Sequence, residues 1–186
     1  MKFLVIGLGS MGKRRIRNLR YLGYSNIVGY DVRADRCEEA FSKYNVISLN
    51  DLVNEDLSEF THIIVSTPPD AHFEYALRFH EMGKHVFVEA SVVDDGYRKL
   101  LESCEKQSNL LAPSCTMRFD PINLKVAEWL ENKKLGAIYF CQHHFGLYLP
   151  YWHPYEPISE FYASNRATGG AREIVPFDLV YLSWLL

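Results

Sequence analysis

The sequence predicts an α/β chain in which a doubly wound parallel sheet is followed by an incomplete α+β domain. Three observations predict it. Short, nearly continuous apolar runs alternate with amphipathic stretches up to about residue 118, the pattern of strands covered by helices on both faces. The first run, KFLVIG, leads directly into GLGSMG at positions 7–12, with the spacing G-x-G-x-x-G. The second run, NIVGYD, closes on Asp31.

Taken in order, KFLVIG reads as a strand, Lys13 to Leu22 as a helix, NIVGYD as a strand and about Ala34 to Tyr44 as a helix. NVISL, a helix from about Asp51, HIIVSTPP, a helix from Ala71 to Met82, HVFVEA, a helix from about Asp94 to Ser108 and LLAPSC continue the alternation. The texture changes after Arg118. Pro121 starts a helix to about Asn132, and GAIYFCQHHFGLYL reads as a long strand of mixed polarity. A stretch dense in Pro and aromatics, LPYWHPYEP, then precedes an amphipathic segment from Glu173 to Leu186. The expected organisation is a dinucleotide-binding domain over residues 1–118 and the opening part of a second, truncated domain over residues 119–186.

Composition narrows the function classes. With 20 basic and 23 acidic residues the formal charge is -3, which lacks the electrostatic footprint of a nucleic-acid binder. Small molecules are the expected partners. Cys37, Cys104, Cys115 and Cys141 form no CxxC pair, so reduced thiols are expected and no metal site is proposed. No apolar run reaches the ~18–20 residues of a membrane span, and a soluble, cytoplasmic protein is expected.

The glycine motif follows an apolar strand and opens a helix, the context that gives it a Rossmann-type mechanical meaning. Gly7 permits the tight turn, Gly9 lets the backbone approach a pyrophosphate, and Gly12 lets the helix pack against the strand. Ser10 and Met11 lie between them, where the helix N-terminus offers N–H groups and partial positive charge to phosphates. Asp31 stands 19 residues beyond Gly12, where a carboxylate accepts hydrogen bonds from the adenosine ribose. That favours NAD. Arg33 and the basic run Lys13, Arg14, Arg15, Arg17 and Arg20 leave NADP open, although the run reads first as a solvated helix face.

The whole chain resembles the Gfo/Idh/MocA family of NAD(P)-dependent sugar and cyclitol oxidoreductases. The resemblance rests on GLGSMGKRRIRNL, on STPPDAHFEYALRFHEMGKHVFVEA, on MRFDP, and on YLPYWHPYEP, FYASNRATGG and YLSWLL. It implies that Ser66, Thr67 and Pro68 line the cofactor and that Glu89 lies near the nicotinamide ribose. It also implies a carbohydrate-like substrate and pairing of subunits through the sheet of the second domain. The departures matter. Where the family's lysine is expected after Glu89 the chain has Ala90, and where its histidine is expected after Glu173 it has Phe177. An acidic residue expected at Val180 is missing, with Asp178 nearby. Glu173 and His153 are the candidates for the proton chemistry, beside Tyr148, Tyr151 and either His143 or His144. The alternative reading is a catalytically silent cofactor-binding module.

Overall fold

A computed structural model describes the chain except Val92, His153, Tyr155, Glu156 and Phe161, and the side chains of Leu149, Trp152, Tyr162, Ala171 and Glu173. The chain divides into two units, Met1–Ser114 and Cys115–Leu186. In the first, β1 (Phe3–Ile6), α1 (Ser10–Tyr21), β2 (Ile27–Tyr30) and α2 (Ala34–Tyr44) are followed by β3 (His62–Val65) and α3 (His72–Glu81). Then come β4 (His85–Val88), α4 (Tyr97–Lys106) and β5 (Leu111–Pro113). All strand pairs are parallel, in the order β2-β1-β3-β4-β5. The order turns back at β1, so the crevice beyond its carboxyl end is the topological switch point of the sheet.

Strand side chains alternate between faces, and this chain needs apolar residues on both. Leu4, Ile6, Ile63, Val65, Val86 and Val88 pack with Leu52, Leu57, Phe60, Ala76 and Phe79 on one face. Phe3, Val5, Ile64 and Ile27 pack with Leu8, Ile16, Leu19, Ala40 and Val46 on the other. The apolar runs are unbroken because neither face meets water.

Three expectations are corrected. The NVISL run is not a strand: it touches β2 by a single parallel bridge, Gly29 with Ser48. Val46 is buried and Leu49 packs partly buried against the opposite face's cluster, while Ile47 is exposed, so the run touches the core at separate points without joining the sheet as a strand. No helix follows at Asp51, because its carboxylate accepts from the N–H groups of Val53 and Asn54 at 2.7 and 2.6 Å. Asp56 does the same for Ser58 at 2.9 Å, and such local bonds compete with helix. In the second unit the long strand expected from Ala137 to Leu149 is absent among the described residues. A strand exists only through its ladder, and no other described segment of the chain pairs with this one.

The second unit is helical where it is ordered into elements: α5 (Pro121–Glu131), the single turn α6 (Leu149–Trp152) and α7 (Ala171–Leu185). Asp120 caps α5 by accepting from Ile122 and Asn123 N–H at 2.9 and 3.4 Å, with Pro121 at the first helical position.

Phe79, fully buried among the aliphatics of β3 and β4, anchors α3 on the sheet. Phe79→Ala is expected to destabilise the protein by about 3–5 kcal/mol, read from the shift in denaturant midpoint at constant slope. A loss below about 1 kcal/mol would mean that α3 is not held by this contact.

Candidate functional site

The loop between β1 and α1 is shaped by two close backbone approaches. Gly7 has φ 88, and a Cβ on it would stand 2.5 Å from Ser66 O and 2.8 Å from Thr67 N. A Cβ on Gly12 would stand 1.8 Å from Gly7 O. Both glycines are therefore demanded by the fold. Gly9 differs. It has φ -65, open to any residue, and a Cβ there would meet only the Arg36 guanidinium, at 3.6 Å. No contact among the described residues requires a glycine at this position, so its missing side chain leaves the outer face of the loop clear of them. Helix α1 starts at Ser10, three residues earlier than expected, which makes Ser10, Met11 and Gly12 its first turn. The N–H groups of a first turn have no partner within the helix and gather partial positive charge.

Asp31 follows β2 and faces this loop. Its Oδ2 accepts from Leu8 N–H at 2.7 Å and its Oδ1 from Arg33 N–H at 2.9 Å. Arg36 Nη1 lies 3.5 Å from Oδ2, and the Asp31 side chain is 3% exposed. Arg33 is turned to Asp35, which it binds at 3.0 and 2.6 Å. The basic run on α1 is less of a solvated face than its sequence suggests. Lys13 pairs with Glu39 and Arg17 donates to Tyr44 OH at 2.9 Å, while Arg20 donates to the Tyr44 carbonyl. These contacts bind α1 to α2, and the Lys13 and Lys43 ammonium groups hold the Glu39 carboxyl below its usual range.

Ser66, Thr67 and Pro68 leave the carboxyl end of β3 beside the loop. Ser66 N–H donates to Ile6 O at 2.7 Å. The Thr67 hydroxyl is buried without a hydrogen-bond partner among the described residues, an orphan that normally finds one. His72 Nε2 meets Thr67 O at 2.8 Å; a carbonyl only accepts, so Nε2 carries the proton and the buried Nδ1 is a lone pair. Burial holds the His72 imidazole below its ordinary value of 6.5, against the opposing pull of the Thr67 carbonyl and of the Glu89 and Asp70 charges.

Glu89, at the end of β4, is buried and locked. Arg15 of α1 grips it in a fork, Nε to Oε1 at 2.6 Å and Nη2 to Oε2 at 2.8 Å. Arg15 also reaches Ser114 Oγ at 3.3 Å and lies 4.7 Å over the Phe87 ring. Ser66 Oγ donates to Oε1 at 3.4 Å. Ala90 follows Glu89 with no polar side-chain atom, and Ser91 Oγ is occupied by Pro69 O and Val93 N–H at 3.3 and 3.0 Å. The sequence reading missed Arg15 and Arg36. Arg15 was visible only as a member of the basic run, and Arg36 lies in the α2 segment right after Asp31 and Arg33.

In the second unit the structure joins three residues that the sequence considered separately or not at all. Tyr181 OH and His143 Nδ1 are 2.9 Å apart, and His143 Nε2 lies 3.2 Å from Asp178 Oδ1. With Asp178 as acceptor, the network assigns the proton to Nε2 and lets Tyr181 donate to Nδ1. Burial, then the charges of Asp178 and Cys141, raise the Tyr181 phenol above its ordinary value. Tyr148 and Tyr151 stack edge-on at 5.0 Å. Glu173 lies in the first turn of α7 with its side chain outside the described residues, and His153 lies outside them altogether. No group of three His, Cys, Asp or Glu fit to hold a metal occurs among the described residues.

Residues 1–114 match the family model described as "Oxidoreductase family, NAD-binding Rossmann fold". An uncharacterized oxidoreductase of Escherichia coli, YhhX, is 37% identical over 90 residues, which cover 47% of this chain and 26% of that protein. A probable dehydrogenase from Thermotoga maritima superimposes with a TM-score of 0.65 at 27% identity, covering 73% of this chain and 42% of the other. The WlbA dehydrogenase from Bordetella pertussis, solved with NADH and UDP-GlcNAcA, gives a TM-score of 0.65 at 18% identity, covering 75% and 42%. The matched stretch thus spans about a quarter of the curated relatives and about two-fifths of the solved structures.

Two outcomes follow from this geometry. Gly9→Ala should keep the unfolding midpoint of the wild type while dinucleotide binding, followed by titration of NADH fluorescence, is lost. Gly12→Ala should lose more than about 3 kcal/mol of stability through its clash with Gly7 O. Equal unfolding midpoints for the two variants would refute the distinction. The second concerns acid. An unfolded His72 takes up a proton near its ordinary value of 6.5, whereas the buried one resists, so its contribution is full above that pH and declines as pH falls below it. Burial and then the neighbouring His85 lower His62 as well and push in the same direction. Denaturant midpoints taken from about pH 7.5 to about pH 5.5 should fall, less steeply in His72→Gln. A wild-type profile that stays level would contradict the neutral, buried imidazole.

Proposed function

This chain belongs to the Gfo/Idh/MocA oxidoreductase family, and on that premise we propose that it serves an NAD(P)-dependent oxidoreductase. The substrate class is a hydroxyl or carbonyl carbon of a sugar, nucleotide sugar or cyclitol. One observation carries the reading: Gly9 is a glycine that neither backbone angle nor packing requires, placed at a helix N-terminus on the switch point of the sheet. Glycine there serves something outside the chain. The Thr67 hydroxyl, buried beyond β3 without a partner among the described residues, fits a bound polar group equally well. The NADH and UDP-GlcNAcA named for the Bordetella neighbour are in line with this substrate class.

When bound, the nicotinamide supplies the acceptor or donor of hydride. The chain's own residues do the rest. The Gly7–Gly12 loop and the first turn of α1 hold the pyrophosphate, and Ser66, Thr67 and Pro68 line the cofactor beyond β3. Arg15 neutralises Glu89, so this wall of the site presents a compensated pair. One proton must then move at the substrate oxygen. Ala90 cannot carry it. Glu173 and His153 are proposed for that role, and among the described side chains the Asp178–His143–Tyr181 chain also has acid–base capacity.

We propose further that the protein works in the cytoplasm, in keeping with its cysteines, which are unpaired among the described residues. Subunits are proposed to pair through the second unit, where Tyr139, Phe140, Phe145, Leu147 and Tyr148 are exposed. A second reading, a silent cofactor-binding module, is favoured by Ala90, Phe177 and Val180, which stand where the family resemblance implies a lysine, a histidine and an acid.

Full-length protein incubated with oxidised cofactor and a panel of sugars, nucleotide sugars and cyclitols should produce reduced nicotinamide at about 1–1000 turnovers per second on its proper substrate. Tight cofactor binding without turnover on any member of the panel would favour the silent module. Absence of binding would overturn both readings.

A further inference from the structure

The turn that leaves β3 is held from two sides. On one, Gly7 packs so closely that a Cβ there would stand 2.5 Å from Ser66 O and 2.8 Å from Thr67 N. On the other, His72 donates from Nε2 to Thr67 O at 2.8 Å. His72 opens α3, a helix fixed to the core through Ala76 and Phe79, so the ring is carried by a rigid element. The residue it holds is the one whose hydroxyl is buried without a partner among the described residues. The other ring nitrogen, Nδ1, is buried and also lacks a partner among them. A neutral ring suits this place, since a buried lone pair is far less costly than a buried charge. Two carboxylates act on the imidazole: Glu89, which Arg15 already compensates, and Asp70, which is exposed to water.

We infer that His72 is the positioning residue of the cofactor turn, and that dinucleotide binding weakens as His72 takes up a proton. The inference rests on the dinucleotide reading above and deepens it. The added proton goes to Nδ1 and turns a buried lone pair into a charged donor with no acceptor among the described residues. Such a charge is strongly disfavoured in the interior, and the ring is relieved by swinging toward water. That movement breaks the Nε2–H bond and frees the Thr67 carbonyl. The segment proposed to line the cofactor then keeps its Gly7 contact and loses its support from α3. Linkage fixes the sign. The neutral ring belongs to the binding state, so protons compete with the dinucleotide. Burial already holds the folded imidazole under its ordinary value of 6.5, so the loss of affinity falls below that pH.

The test is a fluorescence titration of the full chain with NADH in steps from about pH 7.5 to about pH 5.5. It is confined to the steps at which far-ultraviolet circular dichroism shows the chain folded. The dissociation constant should be level above pH 6.5 and rise below it, by up to about tenfold per pH unit for one proton. His72→Gln keeps an N–H donor and cannot titrate. It should bind NADH as the wild type does at about pH 7.5 and hold that affinity down to about pH 5.5. His72→Leu removes the donor and should bind about tenfold more weakly at every pH, the size of one lost hydrogen bond to a buried acceptor. A wild-type affinity that does not change with pH would overturn the inference and leave the dinucleotide reading intact. So would a His72→Gln variant with the slope of the wild type. If NADH does not bind even at about pH 7.5, the dinucleotide reading falls and takes this one with it. The wild type and His72→Gln decide the matter between them, so the inference stays testable even if His72→Leu folds poorly.

Discussion

Everything in the first unit depends on one constraint: the backbone leaving β1 must pass within van der Waals distance of the backbone leaving β3. Gly7 lies so close to Ser66 and Thr67 that even a methyl group would overlap them, and Gly12 sits as closely on Gly7. That contact sets where α1 begins, and so where its unpaired N–H groups point. It also brings the backbone of Ser66 and Thr67 against the loop that carries Gly9. Two of the three glycines build this arrangement, and the third exposes it.

The charges on α1 then distribute the helix among its neighbours. Lys13 and Arg17 hold α2, and Arg20 joins them through a carbonyl. Arg15, pointing the other way, closes on Glu89 just beyond the end of β4. The exposed pairs contribute little individually, on the order of 0–1 kcal/mol each. The buried one is different in kind, because each partner would be stranded without the other.

How far the sequence is legible depends on how local the cause is. The alternation of strands and helices, the glycine spacing and the position of Asp31 are local signals, and each appears in the structure as a strand, a loop or a facing carboxylate. The segment after Asp51 misled because an aspartate that starts a helix and one that closes a turn use the same side-chain bonds. The run from Ala137 misled because its periodicity describes a strand only when a neighbour supplies the ladder. The Arg15–Glu89 pair spans 74 positions and the His143–Tyr181 contact 38, separations at which no spacing rule operates. The engagement of Asp31 was hidden for a related reason: its position was readable, but its hydrogen bonds to Leu8 and Arg33 exist only once the loop has folded.

The Arg15–Glu89 fork also constrains how this site can change over generations. Replacing either residue alone passes through a form with a buried, unmatched charge, a step of about 3–5 kcal/mol in a fold whose entire margin is of order 5–15 kcal/mol. That step removes a large share of the margin. The end of β4 is thus held in place by the first helix, and a new chemistry at Glu89 is reached at least cost when positions 15 and 89 change together.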